Sequence, residues 1–194
     1  TQDNNGGNYD DTNDLPCTIA VGTPGIWTVD DDGKADFNNI QAAVDAASDG
    51  DEIVVMPGIY ADMGNAQVIS IDGKNIWLHS SDGPDVTFID GNAMPLHRGI
   101  LGNDSMSTIE GFTIRNCMYD NDDGAGLRWE NGELTLTNCV FNNNVCVDVS
   151  GLAFGGGAYF KNSSVWIDGC QFHGNSAETG SDGSGGHGGG LFLI

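Results

Sequence analysis

The chain has 194 residues, enough for a sizeable core in one domain or one elongated solenoid. Its 28 acidic and 6 basic residues give a formal net charge of −22. Such a surface repels phosphate backbones and anionic lipid, and it argues against nucleic acid, a membrane surface or an unbridged polyanion as partner.

With 30 glycines, 5 prolines and 39% apolar residues, the chain has too many turn formers for long helices and too much apolar content for disorder. That balance predicts many short strands joined by tight turns. Residues 1–14 are polar and acidic, and 1–25 are expected to form a flexible leader or extended arm, whose Asp and Asn side chains are also candidate calcium ligands. The next segment, 26–29, reads as a strand ending in Asp30-Asp31-Asp32-Gly33. Asp36 is a candidate N-cap for a helix over 37–47, with Phe37, Ile40 and Val44 on one face. Segment 52–56 is then a buried strand stopped by Pro57-Gly58. One short amphipathic helix ahead of a strand-only chain is suited to covering the open end of a solenoid.

From 107 to 194 the chain repeats. The segments 111–117, 134–139 and 165–170 align on Cys117, Cys139 and Cys170. A second register aligns 141–144 with 172–175, and a glycine-led third aligns 124–127, 156–159 and 189–192. Strands that alternate inward and outward, stacked about 4.8 Å apart, put like on like. Cys117, Cys139 and Cys170 then form a small apolar ladder, and Asn144 over Asn175 an amide ladder. Residues 176–187 read as a Gly/Ser loop leaving the stack.

The stretch Asp32 to Phe37, the run Ile40 to Ala47, and Ile53-Val54-Val55 with Pro57-Gly58-Ile59-Tyr60 resemble the start of pectin methylesterases and other pectate-lyase-like β-helices. The FxxN and GGA signatures at Phe141–Asn144, Phe172–Asn175 and Gly156-Gly157-Ala158 resemble the repeats of polymorphic outer-membrane proteins. The resemblance implies an all-β, right-handed parallel β-helix over 26–194 with a short N-terminal capping α-helix. It does not carry chemistry over. The aspartate-bearing and arginine-bearing segments of pectin methylesterases have no counterpart here, and a fold of this kind hosts unrelated activities.

Candidate sites are sparse. Asp120, Asp122 and Asp123 offer alternating oxygens for Ca2+, with a solvated acidic turn as the alternative. Asp122-Asp123-Gly124 and Gly186-His187-Gly188 are fragments of a glycosidase-like set, and both fall in glycine-rich turns. Trp77 and Trp166 alternate with inward apolar residues, so they are expected on the outer face as a glycan-stacking pair; Trp27 and Trp129 join them if they also face out. His79, His97 and His173 are isolated from one another. The five cysteines, Cys17 and Cys146 included, form no CxxC pair, which speaks against zinc. Asn103-Asp104-Ser105 and Asn162-Ser163-Ser164 match the glycosylation sequon.

No stretch is long and apolar enough to cross a bilayer, and the start at Thr1 without a basic and apolar leader reads as a processed chain or a fragment. The apolar end at Leu191-Phe192-Leu193-Ile194 implies either further rungs or cover by another subunit, which would stack into a filament. No catalytic constellation is found. The expected function is a secreted or cell-surface solenoid for adhesion or extracellular assembly, with self-association, other surface proteins or carbohydrate as partners. The alternatives are a glycan-binding module, and a polysaccharide-degrading enzyme whose catalytic residues lie outside this segment.

Overall fold

A computed structural model describes residues 23–61, 64–120, 122–148, 151–179 and 186–194. Most of the expected leader, with Cys17, lies outside the described residues. After β1 (Ile26–Val29) and α1 (Ile40–Ala46), two turns of three strands follow. They are β2 (Glu52–Val55), β3 (Gly58–Tyr60) and β4 (Gln67–Asp72), then β5 (Trp77–Ser80), β6 (Thr87–Asp90) and β7 (Arg98–Asn103). Three turns of four come next. The first is β8 (Met106–Glu110), β9 (Thr113–Arg115), β10 (Met118–Asp120) and β11 (Leu127–Glu130). The second is β12 (Glu133–Thr137), β13 (Val140–Asn142), β14 (Val145–Asp148) and β15 (Ala158–Lys161). The third is β16 (Ser164–Asp168), β17 (Gln171–His173), β18 (Ser176–Thr179) and β19 (Leu191–Leu193).

Each strand pairs in parallel with its equivalent one turn away. Sheet A runs β1-β2-β5-β8-β12-β16, sheet B β3-β6-β9-β13-β17, sheet C β4-β7-β11-β15-β19, and sheet D β10-β14-β18. Alternation along each strand sends every second side chain inward, so the core is built of ladders. Ile53, Leu78, Ile109 and Leu136 line sheet A; Tyr60, Ile89, Ile114 and Phe141 line sheet B; Ile69, Ile100, Leu127 and Ala158 line sheet C. All twelve are buried, and each large aliphatic side chain among them contributes about 1.5–3 kcal/mol of transfer free energy.

The corners explain the Asn, Asp and Gly content. At the turn from sheet C to sheet A, Gly73, Asp104, Asn131 and Asn162 all have φ between 50° and 66°. Only glycine and short polar residues enter that left-handed region readily. Where sheet C begins, Gly99, Gly126, Gly157 and Gly190 stack in register. A Cβ on Gly126 would sit 2.3 Å from the Gly157 carbonyl, and one on Gly157 would sit 2.3 Å from that of Gly190.

The structure moves several sequence boundaries. The helix starts at Ile40, and Asn39 is its N-cap, accepting a hydrogen bond from Ala42 N. Asp36 instead accepts from Thr28 N and Thr28 Oγ1, closing the preceding loop onto β1. Ile40, Ala43 and Val44 still face the core.

Cys117 does not share a ladder with Cys139 and Cys170. Arg115 pairs with Asn142 and Met118 with Val145, so Cys117 stands opposite Asn144, at the corner between sheets B and D. The glycine register slips by one between 124–127 and 156–159, where Leu127 pairs with Ala158, and holds between 156–159 and 189–192, where Ala158 pairs with Leu191. Ser176–Thr179, read as the start of a loop, is strand β18. It pairs with β14 and directs Ala177 toward the core.

Candidate functional site

The outer face of sheet A presents side chains in straight rows. Its central row is Glu52, Trp77, Thr108, Thr135 and Trp166. A second row is His79, Glu110, Thr137 and Asp168, and Met106, Glu133 and Ser164 form a third. The two tryptophans are therefore three rungs apart, about 14 Å at the usual strand spacing. Trp77 borders a shallow depression of about 540 Å3 lined by Thr108, Glu110, Thr135, Thr137 and Asp168, and Trp166 borders a separate one with Glu133, Thr135 and Ser164.

Trp77 is 43% exposed and Trp166 69%, unusual for large aromatic side chains. The Trp77 ring stacks on His79 with centroids 4.3 Å apart, and His79 Nε2 is held 2.8 Å from Glu52 Oε1. Threonine hydroxyls and carboxylates lie within the same rows, and among the described residues no Lys or Arg lines these depressions. Chemically the face offers flat apolar rings at its two ends and hydrogen-bonding oxygens between them.

Trp27 and Trp129 do not join this surface. Trp27 Nε1 donates to Asp51 Oδ2 at 3.0 Å, and its ring meets Phe37 edge-on. Trp129 is fully buried, because Gly102 one rung earlier leaves room for its ring: a Cβ on Gly102 would lie 2.2 Å from the indole.

The acidic turn is built differently from a cation site. Asp122 Oδ2 is bonded by Arg98 Nη2 at 3.1 Å and by Arg128. Arg98 is buried, donates to the carbonyls of Gly124 and Asp123, and lies over the Tyr119 ring. Asp123 accepts from Phe154 N, and burial beside Asp122 pushes its carboxyl above the usual range. Asp120 ends β10, and Asn121 between them lies outside the described residues. Among the described residues no group of three or more His, Cys, Asp or Glu is placed to hold a metal ion. Arg98 and Arg128 thus both hold Asp122 Oδ2 in the acidic turn.

The glycosidase-like fragments are likewise separated. Phe154 lies between Asp123 and His187: its N–H binds Asp123, and its ring stacks on His187 at 5.5 Å.

Cys139 and Cys170 are in register, and Cys139 N donates to Cys170 Sγ at 3.4 Å. Asn144 Nδ2 donates to Asn175 Oδ1 at 3.0 Å and to Ile114 O, while its Oδ1 accepts from Cys117 N. Two features escaped the sequence reading. One is the amide chain in which Asn131 Nδ2 donates to Asn103 and Asn162 Nδ2 to Asn131; its sequence signal is the near-constant spacing of 28 and 31 residues. The other is sheet D, whose strands of three and four residues carry too little alternation to be read in advance.

A family model described as a right-handed beta helix region matches residues 98–193. Searches of curated proteins and of solved structures give no match. The match falls on the parallel rungs that stack sheets A to D; the chain is a right-handed β-helix repeat protein.

Proposed function

We propose that this chain is a non-catalytic adhesive solenoid of the cell surface or extracellular space, and that the outer face of sheet A is its adhesive face, holding an extended neutral polysaccharide. The observation that carries the reading is the row Trp77–Thr108–Thr135–Trp166. Indole faces pack on the apolar faces of pyranose rings. The hydroxyl and carboxylate oxygens between them match a run of sugar hydroxyls. Glu110, Glu133 and Asp168, with no Lys or Arg beside them among the described residues, disfavour uronate or sulfated chains. The acidic surface with few lysines supports an extracellular setting.

Affinity electrophoresis and calorimetry against soluble neutral polysaccharides, with polygalacturonate as the anionic comparison, test this. The expected result is saturable binding of a neutral chain, weakened about tenfold, or about 1.4 kcal/mol, by Trp77→Ala and again by Trp166→Ala. Equal binding by both variants and the parent would overturn the reading.

A further inference from the structure

Four cysteines lie among the described residues, and all four are free thiols. They are not alike. Cys117 is fully buried opposite Asn144, and burial pushes its thiol far up. Cys146 is buried with its thiol on the Asp122 carbonyl, and burial pushes it up to about 12. Neither has a cysteine in register.

Cys139 and Cys170 stand one rung apart, between the paired Thr137/Asp168 and Val140/Gln171. Adjacent strands are about 4.8 Å apart, inside the Cα window of about 4.4–6.8 Å that a disulfide requires. Their side chains point the same way. Cys170 Sγ accepts the Cys139 N–H at 3.4 Å, and the two thiols donate to equivalent carbonyls, Cys139 to Thr137 O and Cys170 to Asp168 O. Cys139 is buried beneath, while Cys170 is partly open to solvent. We propose that Cys139 and Cys170 are a thiol–disulfide pair that forms a covalent staple between successive rungs, with Cys170 attacking first and Cys139 resolving.

The hydrogen bonds from Cys139 hold the Cys170 thiol below the ordinary range, against burial and the nearby Asp168 carboxylate, while burial raises Cys139. That division matches the two roles, since the thiolate is the nucleophile. The co-reactant is a small-molecule disulfide, RSSR. The Cys170 thiolate attacks one sulfur, the S–S bond breaks, and RS− leaves. Cys139 then loses its proton and attacks Cys170 Sγ, forming the Cys139–Cys170 bond and expelling the second RS−. Two protein thiols are oxidised, RSSR is reduced, and the two thiol protons end on two RSH.

The full chain is incubated in glutathione buffers of graded redox ratio, quenched with an alkylating reagent and read by intact mass and non-reducing peptide mapping. The expected product has lost two hydrogens and contains a Cys139–Cys170 crosslinked peptide. Cys139→Ala should stop at a persistent glutathione adduct on Cys170, and Cys170→Ser should leave Cys139 unmodified in folded protein. Circular dichroism of both variants confirms that they retain strand structure. The proposal is overturned if Cys170 stays alkylatable at every redox ratio, if it pairs with Cys17, or if the parent accumulates the same mixed disulfide as Cys139→Ala.

Discussion

Single residues at the corners and caps hold this solenoid in register. Asn144 is fully buried and bonds to both neighbouring turns, to Cys117 and Ile114 on one side and Asn175 on the other. Asn144→Ala strands those partners, each at about 1–3 kcal/mol. Asn144→Asp is expected to be worse than Ala, because a carboxylate would face the Ile114 carbonyl and Asn175 Oδ1; urea unfolding of the two variants checks the order. Asp51 accepts from Gly25 N, Ser48 N and Trp27 Nε1, and these donors, Ser48 first, pull its carboxyl below the ordinary range. A depressed carboxyl contributes stability that is present above its unfolded value of about 3.9 and lost as pH falls through the folded value. The stability gap between the parent and Asp51→Asn should therefore be widest at neutral pH and close in acid. Unfolding at stepped pH measures it, and a gap independent of pH would contradict the assignment.

Among the elements, sheet C shows how one rung constrains the next. Its inner row passes from Ile71 to Gly102 to Trp129 to Phe160. The absent side chain at Gly102 and the large one at Trp129 are two halves of one packing solution. Gly102→Ala is expected to lower stability by about 1–3 kcal/mol through overpacking, and Trp129→Leu in the same chain to recover part of it. Thermal melts of both single variants and the double variant give the coupling, and strict additivity would refute it. The sequence carried the glycine but not the reason for it, because Gly102 and Trp129 are 27 residues apart and meet only through register. The same limit explains the cysteine alignment. Cys117, Cys139 and Cys170 look equivalent in local sequence, yet the pairing of Arg115 with Asn142 puts Cys117 at another corner.

For the molecule as a whole, a formal charge of −22 acts on the folded state as self-repulsion. Salt should raise the melting temperature from low ionic strength upward, with most of the gain by about 0.15 M, where the Debye length is about 8 Å. A melting temperature that falls over that range would mean that the ion pairs of Arg98, Arg115 and Arg128 outweigh the net charge.

What the sequence by itself determined is the class of fold and its outer grammar. Alternation in short apolar strands specifies which side chains line the core and that Trp77 and Trp166 face out, and Gly, Asn and Asp specify the corners. These are local consequences of strand geometry and of which residues enter the left-handed region. The tertiary structure alone decided register and neighbourhood. It put Trp77 and Trp166 in one row, buried Trp129 over Gly102, tied Asp122 to two arginines and set Cys139 under Cys170. Turn lengths vary from rung to rung, so the phase between distant residues comes from backbone pairing and core packing, which no local stretch of sequence contains.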